Sequence, residues 1–129
     1  LRAKQVTWTS SDCIFDGDAA LSALLNQANV TPQLFMFAGA SAPFTSDLAV
    51  GTMGSIIAVF NGASSLLQIG NNSPASGDPG AGNPAGFTLG ARGSGLVNFA
   101  NIEVREVIIF ASALTTGQIA AVASYLNTI

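Results

Sequence analysis

Residues 98–127 read NFANIEVREVIIFASALTTGQIAAVASYLN, and this stretch decides the fold. Ile102, Val104, Ile108 and Phe110 fall on one face of an extended segment, and Val107 and Ile109 fall on the other. The segment is therefore apolar on both sides at its C-terminal end, the pattern of a strand buried inside a sandwich. A capped helix follows. Thr115 and Gln118 have capping-box spacing: the Thr115 hydroxyl can accept from the Gln118 backbone N–H while the Gln118 amide reaches back to Thr115. Leu114 and Ile119 are placed to form a hydrophobic staple. Ile119, Val122, Ala123 and Leu126 then recur at helical spacing and make one apolar stripe.

Composition narrows the class. At 129 residues the chain is one domain, 1–129, large enough to bury a core. Only 9% of its residues are charged, against about a quarter in ordinary soluble domains, so its surface is either uncharged polar or covered by other chains. A net charge of −3, with Arg2, Lys4, Arg92 and Arg105 as the only cations, gives no basic stripe for phosphates and excludes nucleic acid as a partner. No apolar run reaches the roughly 18 residues of a membrane helix, so membrane insertion is not expected. Cys13 is the only cysteine, which rules out an internal disulfide, and the chain has no histidine to serve as general base or metal ligand. The chain opens on Leu1 with no apolar signal segment behind Arg2 and Lys4, and residues 4–8 already alternate like a strand. A piece of a longer polypeptide is expected.

Working outward from the closing stretch, residues 5–9 and 13–15 read as short strands, with a turn at Asp16-Gly17. Residues 19–27 fit two readings: Leu21, Leu24 and Leu25 suit a helix, whereas 23–27 with 33–37 read as a hairpin, the reading favoured here. Residues 48–50 read as a short strand, and 55–60 as a buried strand ending at the Asn61-Gly62 turn. Residues 66–69 return. Residues 70–86, GNNSPASGDPGAGNPAG, hold nothing apolar larger than alanine or proline and are expected to be an irregular surface loop. Residues 87–90 resume the sheet, and 91–96 form a glycine-rich turn. Many short strands with one terminal helix predict an all-β antiparallel sandwich or jelly roll.

FNGASSLLQI at 60–69, FTLGARG at 87–93, and the pattern F-x-x-I-x-V-x-E-V-I-I-F with A-L-T-x-x-Q-I and Y-L at 99–126 resemble the C-terminal part of laminin-G-like, concanavalin A-like jelly-roll domains. FDG at 15–17 and PQLFMFAG at 32–39 fit the earlier strands of that pattern. The resemblance is to modules of bacteriophage tail and virion proteins and of bacterial surface proteins. It implies a jelly roll with further strands upstream, a virion or tail-fibre location, other virion subunits or copies of itself as partners, and cell-surface glycan as a ligand class. A bacterial extracellular adhesin, or a carbohydrate-binding module attached to a glycan-active enzyme, is the alternative it leaves.

Candidate chemistry is sparse. Asp16 and Asp18 flank Gly17 at a spacing that suits two oxygens on calcium, a cation common in the wider family, although a hydrogen-bonded turn needs the same residues. Glu106 lies among apolar residues, but Glu103 stands at odd offset from it, on the opposite strand face, so the two do not form a glycosidase pair. Glu106 is expected to bond backbone at the turn into the helix, or Arg92 or Arg105. No activated serine accompanies these carboxylates, and the chain reads as non-catalytic. For a glycan, Trp8 and Phe44 supply stacking surfaces, and Asn71, Asn72, Asp78, Asn83 and Arg92 supply polar groups at and beside the long loop.

Overall fold

The computed structural model describes residues 1–19, 22–40, 45–93 and 97–129. Among the described residues, two five-stranded antiparallel sheets face each other, and one helix lies against the first of them. The first sheet contains β1 (Arg2–Gln5), β6 (Met53–Val59), β7 (Ser65–Ile69), β8 (Ala75–Gly77) and β10 (Ile102–Glu106), in the order β10-β1-β6-β7-β8. The second contains β2 (Cys13–Asp16), β3 (Leu24–Gln27), β4 (Gln33–Phe37), β5 (Thr45–Asp47) and β9 (Thr88–Leu89), in the order β5-β4-β3-β2-β9. The helix, α1, spans Thr116–Leu126.

Strand alternation on β6 explains the layering. Ile56, Ala58 and Phe60 point into the main core, where Ile56 and Leu67 of the first sheet meet Ile14, Leu25, Leu34 and Met36 of the second. Ile57 and Val59 point the other way and pack beneath Ile119, Ala123 and Leu126 of α1. β6 is thus apolar on both faces because each face has its own cover. The helix begins where the capping box places it, with Gln118 N donating to Thr115 Oγ1 and Thr115 N donating to Gln118 Oε1. Leu114 packs against the apolar cluster that holds the buried Ile119, in keeping with the staple.

Between the sheets runs a chain of buried amides. Gln5 is fully buried and donates to the Leu48 carbonyl at 2.6 Å. Gln27 donates to Gln5 Oε1 and to the Thr7 carbonyl, each at 2.8 Å, and accepts from Thr9 N. This network ties β1 to β3. β1 ends at Gln5, so the strand expected at 5–9 lies at Arg2–Gln5 instead, and Val6 is exposed.

Three further expectations change. The short strand expected at 48–50 lies at Thr45–Asp47, paired with β4, and Leu48 turns into the core. The loop 70–86 is not wholly irregular, because Ala75–Gly77 pairs with β7 as an edge strand. Beyond it, Pro79 is buried and its carbonyl accepts from Ala38 N and Ala40 N, while Gly82 N donates to the Ala38 carbonyl. The attachment is backbone to backbone, which a count of apolar side chains does not register.

The closing strand ends at Glu106, not Phe110. Arg2 pairs with Glu106 and Ala3 with Val104, so one extra residue is inserted in β10 at Arg105. Such a bulge reverses the alternation after it. Ile102 and Val104 therefore face the main core, whereas Ile108 packs in the helix cluster.

Candidate functional site

The same bulge brings Glu103 and Glu106 to one face, since each lies opposite a β1 residue, Lys4 and Arg2, that share a face. The expectation of opposite faces fails for that reason. The two carboxylates still engage different partners. Glu103 pairs with Lys4 at 2.7 Å, and Glu106 accepts the Tyr125 hydroxyl at 2.8 and 3.1 Å. Neither Arg92 nor Arg105 is the partner of Glu106.

Asp16 is fully buried, and its carboxylate accepts backbone N–H groups of Gly17 at 2.8 Å, Gly93 at 3.0 Å and Ala23 at 3.3 Å. It binds two connections, the β2–β3 loop at both of its ends and the segment after β9, to the end of β2. Asp18 is exposed and packs beside Gly86. Among the described residues no group of three or more acidic, cysteine or histidine side chains is placed to hold a metal ion.

The residues expected to bind a glycan serve separate local structures. Asn71 accepts from the Asn127 amide at the end of α1, and the Asn72 N–H closes a turn on Ile69. Asp78 and Asn83 accept from the N–H groups of Gly80 and Ala85, two residues on in each case, as turn residues do. Trp8 and Arg92 are half-buried. The indole nitrogen of Trp8 and Nε of Arg92 have no hydrogen-bond partner among the described residues. Phe44 lies outside the described residues.

Two apolar features stand out, and sequence reading identified neither as a site. The first is a groove of about 480 Å³ between the end of β6 and residues 107–114. Its floor carries an aromatic cluster in which Phe15 meets Phe60 edge-on at 6.2 Å and Phe87 at 5.5 Å. Ile109 and Phe110 on its wall are 65% and 47% exposed. The second is the β9 edge of the second sheet, where Leu89, Val97 and Phe99 are all exposed, Phe99 at 61%. Backbone bonds from Arg92 N to Val97 O and from Ala100 N to Gly90 O hold these segments side by side next to β2. Cys13, close to that edge, is buried, and burial pushes its thiol up to about 11.

No family model, curated protein or solved structure matches the chain.

Proposed function

We propose that this chain is a non-catalytic jelly-roll module of the laminin-G-like, concanavalin A-like kind, serving as a structural part of a virion or tail fibre. The resemblance of residues 60–69, 87–93 and 99–126 to such modules supplies the setting, by analogy of sequence pattern. The observation that carries the structural role is the β9 edge. Leu89, Val97 and Phe99 expose a run of apolar side chains beside a strand of only two residues. A sheet edge of this kind invites pairing or packing with another chain unless charge guards it. Arg92 is the only formal charge within 88–101. The low charge of the whole chain suits a surface covered in an assembly, and the interface would bury more than about 1,000 Å².

Light scattering of purified Leu1–Ile129 across the micromolar range tests this reading. An oligomer of defined mass is expected. A well-folded monomer at every concentration contradicts it.

A further inference from the structure

The apolar groove has the shape of a missing strand. Leu1 N donates to Ile56 O at 3.0 Å and Ile56 N donates to Leu1 O at 2.8 Å, so the β1–β6 ladder is in register at the mouth of the groove. Past that point β6 continues through Ile57, Ala58 and Val59, with β7 on one side only, and leads into Phe60. On the opposite wall, Ile108, Ile109 and Phe110 make no backbone hydrogen bond among the described residues. Because β1 separates β6 from β10, the walls start two strand spacings apart, about 9.5 Å. In an antiparallel ladder the groups of alternate residues point to the same neighbour. Ile56 points to β1, so the N–H and C=O of Ala58 point into the groove. By the same alternation Arg2 faces Glu106, and Ile108 faces the groove.

A small apolar ligand would leave those backbone groups unpaired in an apolar slot, which is unfavourable for a buried donor or acceptor. A strand satisfies both walls. We propose that the groove receives an extended polypeptide segment that runs in line with β1, is joined by a peptide bond to the nitrogen of Leu1, and pairs antiparallel with both β6 and residues 107–110. Counting back from Leu1, its first and third residues lie opposite Ile57 and Val59 and face the helix, against Leu114 and Val122. Its second and fourth lie opposite Ala58 and Phe60 and face the sandwich interior with Phe15. Both faces are apolar, so all four positions take β-branched or aromatic side chains, and a charge at any of them would be buried. The inference holds for any biological setting of the domain.

Amide exchange tests it in two steps. In Leu1–Ile129, kept dilute enough to be monomeric, Ile57 and Val59 should be protected by β7 while Ala58 and Ile108 exchange freely. Equal protection of Ala58 and Ile57 would show that the groove side of β6 is already satisfied and would overturn the proposal. A second pair of chains carries Val-Ile-Val-Ile or Gly-Ser-Gly-Ser ahead of Leu1. The apolar extension should slow exchange at Ala58 and Ile108 by about tenfold or more and raise the unfolding midpoint, and the Gly-Ser extension should do neither. Identical behaviour of the two extensions contradicts the proposal. So does protection of Ala58 by the free Val-Ile-Val-Ile peptide where the fused one gives none, since the occupant would then come from another chain.

Discussion

The Tyr125 hydroxyl hydrogen-bonds both oxygens of the Glu106 carboxylate, at 2.8 Å from Oε2 and 3.1 Å from Oε1, and ties the last turn of α1 to the end of β10. The helix is fastened at that end by two further polar contacts, Arg2 to Asn127 and Asn127 to Asn71. The hydrogen bond to Glu106 raises the Tyr125 pKa above its ordinary 10.0, with desolvation and the carboxylate charge adding in the same direction.

Tyr125 is the only tyrosine, so phenolate absorbance reports it alone. A phenol whose pKa is raised in the fold adds stability that is fully present below the unfolded value, about 10, and is lost as pH rises through the folded one. The titration midpoint should lie above 10.0, and Glu106→Gln should move it down. A wild-type midpoint at or below 10.0 would show that the bond does not persist in solution.

Cys13 should be chemically silent in the folded protein. With its thiol held at about 11 by burial, and by the nearby Asp16 carboxylate after it, little thiolate exists near neutrality. Alkylation at pH 8 should run about a hundredfold slower in the native protein than in denaturant. Similar rates in both would show that β2 opens readily.

Thr115→Ala removes the acceptor for the Gln118 N–H and should cost about 1 kcal/mol. Denaturant midpoints compare the two proteins, and an unchanged midpoint would place the start of the helix elsewhere.

Gly80 has φ +105, and a Cβ there would overlap the Ala38 carbonyl and Ala40 N. Gly51 has φ +82 with open space around it. Gly80→Ala should therefore destabilise by about 2–3 kcal/mol, and Gly51→Ala by about 1 kcal/mol. Equal losses would mean that residues 78–82 do not dock on the end of β4.

The capping box was legible because its signal is local: Thr115 and Gln118 lie three residues apart and answer each other. The hairpin of Leu24–Gln27 with Gln33–Phe37 was legible only in part, because Leu21, Leu24 and Leu25 also fit helical spacing and the pairing with β4 is what decides between the two. Features set by distant partners were not. The bulge at Arg105 depends on β1, so simple alternation put Ile108 on the wrong face and separated Glu103 from Glu106. The amides of Gln5 and Gln27, 22 positions apart, look in the sequence like surface residues. Residues 107–110, apolar on both faces, carry the pattern of a buried strand and stand as one wall of the groove.

The structural role rests on the β9 edge, and Phe99→Asp tests it most directly. Phe99 is 61% exposed, so the substitution should leave the fold and its unfolding midpoint unchanged while placing a charge in the apolar run. Solution masses of wild-type and variant chains, measured side by side at the same micromolar concentration, give the answer. The expected result is a wild-type oligomer and a variant of 13.0 kDa, the mass of one chain. Equal masses for the two proteins would contradict an assembly built on this edge.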